Sequence, residues 1–518
     1  MGNTPGITDE VEDIGKKTLV ENHVEGNALL FNNDTKELRL IPVPSSDPND
    51  LLNWTKWRKA GVIVVCCWFC MSTIFDVLDP YYAKEGKSTF VIIPLSLAFG
   101  RRPIFLCSAL VMLASVIWAA FSQSYRSHLA ARVFQGMASG ASESLLPLML
   151  SEISFLHQRA SLLGAYWATQ SLFTALLNIA ASYEATVSWR WYYGVFSITT
   201  AVGIVGAFFF APETRYQRKA MVVGNQFVFT NDFGETHIMN YKEAAATIQN
   251  LETAYATGQT QTFISKRTFI QELNPWYGKI YDASKLARQS YLRMLECYTS
   301  PGVWYASLAA AVSLGCAMGM GITISNVLHG SYHWPSSNLG LYNIGTIPAA
   351  LAALVYSGWL ADKFSIWLAR RKGGLHTPEM RLIPMVLPLI VGALALVIYG
   401  VCTEWPDRYT WAGPVLGWNL FQFSFISILV ISTTFTAEIT PRDPGPALVV
   451  LSASKHWISF GLQYGMNPLA DYAGYLWAMG ILTIIFSGSL LLAIPVYFLN
   501  PKWRARVPSR SGLNGQAN

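Results

Sequence analysis

Charged side chains are what this sequence has least of. Only 13% of its 518 residues are Asp, Glu, Lys or Arg, about half the share found in ordinary soluble domains. With 52% of the residues hydrophobic, the shortfall excludes a water-soluble globular enzyme. The apolar residues arrive in long blocks separated by short polar segments, the pattern of a polytopic helical membrane protein. A secretory leader is also missing: residues 1–50 are polar, with no basic-then-apolar start, so the first membrane helix is expected to act as its own targeting signal. Cysteines are few, and Cys66, Cys67, Cys70, Cys107, Cys316 and Cys402 fall in apolar blocks without metal-ligand spacing. They read as small buried hydrophobes. An ATP-driven pump needs a P-loop. The stretch "AKEGKST" holds Gly86, Lys87 and Ser88, but Tyr81 stands where the first glycine is required. H-E-x-x-H, H-x-x-x-x-D and G-x-S-x-G are absent as well. No enzymatic activity, cofactor, metal or nucleic-acid partner is expected.

What is present is a series of apolar blocks. After Trp54, Trp57, Arg58 and Lys59, which read as interfacial anchors, spans are predicted at Ala60–Leu78, Ser88–Phe99, Ile104–Phe121, Leu129–Leu150, Ser161–Tyr183 and Trp191–Phe210. A polar stretch follows, and then Val303–Ile324, Leu339–Ala361, Leu382–Cys402, Trp411–Thr436, Ala447–Leu469 and Gly474–Leu499. The expected organisation is a polar tail 1–55, a membrane bundle 56–211, a central loop 212–300, a second bundle 301–500 and a tail 501–518. Placing both termini in the cytosol puts fifteen Lys and Arg of the short loops inside. They include Lys56, Arg101, Arg102, Arg159, Lys363, Arg381, Arg442 and Lys502. Five stay outside: Lys84, Lys87, Arg126, Arg190 and Arg408. The opposite orientation inverts this bias, so the termini and the central loop are expected to be cytosolic. The sequons at Asn33 and Asn53 then lie on the wrong side for glycosylation.

Six spans, a long cytosolic loop and six more spans is the plan of secondary transporters built from repeats. "SGWLADKFSIWLARRK", with Gly358, Leu360, Asp362 and Lys363, resembles the G-x-L-x-D-R/K loop of the major facilitator superfamily. "ARVFQG" resembles that family's R-x-x-Q-G, and "PETR" (Pro212 to Arg215) is a frequent end to its first half. "SSDPNDLLNWTKWRK", "GLHTPEMRLIP" and "SKHWISFG" look like fungal members related to the drug–proton antiporter branch. The resemblance covers the chain from Ser45 onward. It implies an all-α integral membrane fold of two six-helix bundles, nominally twelve spans, working as a secondary transporter on a small organic molecule. Proton-coupled efflux of a drug or metabolite is implied, with the proton as coupling ion, membrane lipid as surroundings, a monomer, and the plasma membrane as location. Uptake is the alternative direction, and a non-transporting or damaged relative, or a sensor, the alternative function.

In two places the chain departs from that pattern. Counting back from Gly100, Arg101 and Arg102, the positions expected to hold Gly, Asp and Arg hold Ile93, Leu97 and Ala98. The second span is also short. Ser88–Phe99 covers roughly 18 Å of a hydrocarbon core about 30 Å thick, and Lys84, Glu85 and Lys87 stand before it. The block therefore reads as the inner half of a span, too short to cross alone, with on the order of 20 residues missing and the loop Asp79–Lys87 dipping toward it; eleven to twelve spans result. The G-x-x-x-G-P antiporter motif is absent from span five, which weakens the export reading.

Charges inside spans are costly and therefore informative. Lys455 sits roughly 14 Å into span eleven, where an ammonium must face a cavity or pair with an acid; neighbouring His456 suits a proton relay, since an imidazole can both accept and donate a proton. Glu143, roughly 22 Å from the outer end of span four, reads either as a proton carrier or as a structural partner of a neighbouring helix. Arg132 reads as binding substrate or, preferably, as organising a carboxylate. Asp76, near the outer end of span one, is explained by interfacial solvation. Gln170, Asn178, Asn343 and Asn419 suit cavity lining and helix–helix hydrogen bonding equally. His329, His333 and Trp334 read as exposed in an outer loop. The resemblance implies a cytosolic gate in which Gly358 permits close helix contact and Asp362 latches the halves through Lys363 and Arg370, with Gly100, Arg101 and Arg102 as the first-half counterpart.

Overall fold

In the computed structural model, residues 28–30, 41–42, 49–73, 82–184, 189–215, 221–223, 226–230, 236–240, 268–274, 283–440 and 444–506 are described. Long apolar runs become helices because lipid offers no hydrogen-bond partner to an open backbone. The first six rods are α1 (Lys56–Thr73), α2 (Tyr82–Phe99), α3 (Arg101–Phe121), α4, α5 (Arg159–Glu184) and α6 (Trp189–Phe210). Rod α4 runs through Tyr125–Gly140, a π-helical turn Ala141–Leu145, and Leu146–Glu152. The central segment holds a three-stranded antiparallel sheet, Met221–Val223, Gln226–Thr230 and Thr236–Asn240, then α7 (Phe269–Leu273) and α8 (Ala283–Cys297).

The second six begin with α9 (Pro301–Gly330). Rod α10 combines a 3-10 stretch Ser336–Gly345, Thr346–Ala353, a π-helical turn Leu354–Leu360 and Ala361–Arg371. Then come α11 (Pro378–Met385 as 3-10 helix, then Val386–Glu404), α12 (Ala412–Ile439) and α13 (Pro444–Leu491), continued by α14 (Ala493–Arg506). A break at Gly474 (φ 82°) divides α13 into two rods. There the Glu404 carboxylate accepts from the backbone N–H of Leu476 at 3.1 Å, capping the second rod. Among the described residues, seven stretches are long and apolar enough to cross a membrane: Arg101–Phe121, Arg190–Phe210, Pro301–Gly330, Ser336–Arg371, Pro378–Glu404, Ala412–Ile439 and Pro444–Arg504. Outward faces carry large apolar side chains, such as Ile198, Val205 and Phe210 of α6, as a surface solvated by lipid requires.

The two sets of six meet along two seams. In one, α5 lies against α10 and α12; in the other, α13 lies against α2 and α4, with α8 touching both α2 and α13. Gly164 and Gly358 make the first seam tight: a Cβ on Gly164 would lie 3.2 Å from the Cα of Gly358. At the far end of α5, Gly340 packs against the backbone of Asn178 and Ile179.

The second span corrects the expectation drawn from its apolar run. The helix starts at Tyr82 rather than Ser88, so Lys84, Glu85 and Lys87 stand in its first two turns. The rod is eighteen residues, roughly 27 Å, but its apolar part is Phe90–Phe99, too short to cross the core alone. Charge did not end the helix, because every peptide group left unpaired in that setting costs several kcal/mol. Of the loop expected to dip, residues 79–81 lie outside the described residues, as does Asp76.

Candidate functional site

A π-helical turn in α4 prepares the site. Such a turn disturbs the regular i to i−4 bonding of the helix, and here two of its carbonyls are met from outside. The Tyr166 hydroxyl of α5 donates to the Ser142 carbonyl at 2.6 Å, and the Ser452 hydroxyl of α13 donates to the Glu143 carbonyl at 2.9 Å. The turn thus binds α4 to both seams and directs Glu143 toward α13. There the Lys455 ammonium donates to Glu143 Oε2 at 2.5 Å, and His456 Nε2 lies 3.7 Å from the same oxygen. Lys455 and His456 are buried, and the Glu143 side chain is 10% exposed. The ammonium also stands 4.9 Å from the centre of the Trp167 ring, within cation–π range. The indole N–H of Trp167 is buried and meets no hydrogen-bond acceptor among the described residues. An acid and a base from different halves, an adjoining imidazole and a spare donor occupy one dry place.

A second constellation lies at the end of the molecule where the basic residues cluster. Asp362 of α10 accepts from the backbone N–H and the hydroxyl of Ser161 at 2.8 and 2.6 Å, and from Arg381 Nη1 at 2.7 Å. Arg381 also pairs with Glu438 at 2.9 Å and donates to the Leu156 carbonyl at 3.2 Å. His376 Nε2 lies 3.0 Å from Glu438. Ser161 and Leu156 belong to the first half and the remainder to the second, so the cluster ties the two halves across the seam. Burial holds the His157 imidazole beside it below its ordinary value, opposed by the Asp362 carboxylate.

The basic partner of Asp362 is therefore Arg381, not Lys363 or Arg370. Lys363 lies over the Trp359 ring at 3.6 Å, and Arg370 is exposed at the end of α10. Gly358 packs closely against α5, where a Cβ would lie 3.3 Å from the Cα of Ser161.

In the first half the corresponding acids come from elsewhere. Arg101 pairs with Glu152 at 2.9 Å, and the backbone N–H groups of Arg101 and Arg102 donate to Glu213 of "PETR" at 2.9 and 3.1 Å. Gly100 has φ 105°, and a Cβ there would lie 2.5 Å from Glu213 Oε2, so only glycine suits it. Where the family pattern expects an acid, Leu97 offers its carbonyl to Arg215 at 2.5 Å. On the second seam Ile93, at the position where the pattern has glycine, packs against Gly445.

The other candidates disperse. Arg132 donates to the Tyr193 hydroxyl at 2.5 Å and lies over that ring, away from Glu143. Asn343 accepts from the Trp418 indole at 3.2 Å. Asn419 accepts from Thr346 at 2.9 Å and donates to the Tyr342 carbonyl at 3.0 Å. Both asparagines tie α10 to α12, the helix–helix alternative. Gln170 stands one turn beyond Trp167 on α5, half-buried. His329 stands in the last turn of α9 rather than in a loop, its Nδ1 2.9 Å from the Trp334 carbonyl. The residues that sequence reasoning missed, Arg381, Glu438, Glu152 and Glu213, all stand at the edges of apolar blocks, where a charge reads as an ordinary boundary.

The sequence model described as Major Facilitator Superfamily matches residues 86–460. An uncharacterized MFS-type transporter of Schizosaccharomyces pombe is 23% identical, over 91% of this chain and 89% of that protein. Protein HOL1 of Saccharomyces cerevisiae is 22% identical over 90% of each chain. The MFS transporter cpaT of Aspergillus oryzae is 20% identical over 89% of this chain and 90% of its own length. The crystal structure of the human organic anion transporter MFSD10 (TETRAN) superposes with a TM-score of 0.53 at 15% identity, covering 85% of this chain and all of that one; the likeness is one of fold.

Proposed function

The chain belongs to the major facilitator superfamily, and on that footing we propose that it is a proton-coupled secondary transporter exporting a small organic molecule by alternating access. The observation that carries this reading is the Glu143–Lys455 pair joining the two halves, with His456 beside it. A proton delivered to Glu143 removes its charge and with it the attraction for Lys455, so α13 is freed from α4 at the depth where substrate would sit. His456 is the group placed to hand that proton on. Lys455, released, would be drawn to substrate or to water, while the spare Trp167 N–H offers substrate a donor. Return of the charge re-forms the pair and recloses the seam.

In this reading the latch of Asp362, Arg381 and Glu438 seals the cytosolic end while the site faces outward. Both termini and the loop 212–300 are cytosolic, the bundles are 56–211 and 301–500, and the monomer resides in the plasma membrane. The names of the S. pombe and A. oryzae relatives, both MFS-type transporters, support a transport role. The test is accumulation of a panel of fluorescent drugs by inside-out vesicles carrying the protein. Uptake should follow an imposed acid-inside pH gradient and collapse with a protonophore. Accumulation indifferent to the protonophore would refute proton coupling.

A further inference from the structure

Part of the N-terminal tail lies across the latch. Ala28–Leu29 pairs antiparallel with Leu375–His376, Ala28 opposite His376 and Leu29 opposite Leu375. The Leu30 N–H extends the pairing to the Gly374 carbonyl at 2.9 Å. Gly373 and Gly374 have φ 69° and 90°, the left-handed region that lets the chain reverse between α10 and this strand. Leu30 is 2% exposed and sits in a small apolar cluster of its own, separate from the main core, with Leu156, Ala369 and the half-buried Ile41 and Ile366. Leu156 belongs to the first half; Ala369 and Ile366 belong to the second. Further along the tail, the Ile41 carbonyl accepts from the Leu156 N–H at 2.8 Å. The strand partner His376 is the residue bonded to Glu438, which holds Arg381, which holds Asp362 against Ser161. An unbroken run of contacts thus leads from the tail to the first-half side of the latch.

We propose that the tail is a strap that holds the latched end closed, with Leu30 as its pin between the two halves. The strap contributes nothing to the Glu143–Lys455 site. It biases the closed-to-open equilibrium at the opposite end of the path, because its contacts span both halves only while they are together. An event that withdraws residues 28–30 and 41–42 would favour opening at that end. This inference rests on the alternating-access reading above.

The experiment is a distance measurement in the full chain. Spin labels are attached at Gln158→Cys and Lys372→Cys, both exposed and on opposite halves, in a background where the exposed Cys107 is serine. Leu30→Asp should raise the ratio of long to short distances roughly tenfold, the effect expected when one buried leucine's contribution is lost. Leu30→Ala, which introduces no charge, should raise it several-fold, and Leu30→Met should leave it unchanged. Asp362→Asn, which weakens the latch directly, is measured alongside. If Asp362→Asn opens this end while Leu30→Asp and Leu30→Ala do not, the strap is overturned and alternating access stands. If none of them opens it, both readings fail.

Discussion

At the residue scale, depth along the helix identifies the partners. Glu143 precedes the end of α4 at Glu152 by nine residues, and Lys455 follows Pro446 by nine, so both sit roughly 14 Å from the same end. Lys455 was legible as a charge needing an acid; matching the two depths names that acid. A buried pair deprived of one member leaves the other uncompensated, at about 3–5 kcal/mol. Lys455→Met should abolish drug flux at matched expression, and both Lys455→Met and Glu143→Gln should melt well below wild type. The double variant, an uncharged pair, should recover most of that loss. Melting curves in detergent check this, and a double variant no more stable than the singles would contradict the pairing. Arg381 was not legible. It stands nineteen residues beyond Asp362, just ahead of an apolar block, and only the fold brings Glu438 to it. Arg381→Ala should cost about 3–5 kcal/mol for the same reason, read by the same melting curves.

At the element scale, the apolar runs revealed the rods but not their irregularities. The π-helical turns of α4 and α10 could not be read from the apolar runs, which mark a span by its length and not by its helical period. The start of α2 is not legible either, since Lys84, Glu85 and Lys87 read as the boundary of the apolar run while the helix begins at Tyr82. The part of α13 just before Gly474, in the helix that shares a seam with α2, remains open: Tyr464 and Tyr472 are 76% and 93% exposed, and a Cβ on Gly461 or Gly465 would meet nothing within 4 Å. Insertion of about 20 apolar residues between Leu78 and Thr89 should cover that face and raise both the melting temperature and drug flux. Equal stability and flux in the two forms would show that the short span is sufficient as it is. Gly100→Ala should lose about 1–2 kcal/mol of stability through its positive φ alone, with further cost from Glu213.

At the scale of the whole molecule, the distribution of Lys and Arg separates the two ends, and the latch forms at the basic end from residues far apart in the chain. The six-plus-six plan was legible because hydrocarbon thickness sets the length of each block. The seams were not, since they depend on Gly164, Gly358 and Gly445 meeting across halves. Epitope tags on either terminus should be reachable only after permeabilisation of cells; labelling in sealed cells would invert the orientation. The central claim is that Glu143 exchanges its hold on Lys455 for a proton. It is tested most directly by Glu143→Gln in proteoliposomes loaded with a fluorescent drug that the wild type carries. The variant should still exchange drug for drug at equal pH on both sides, and should no longer concentrate drug when a pH gradient is imposed. Gradient-driven accumulation by Glu143→Gln at the wild-type level would contradict the account.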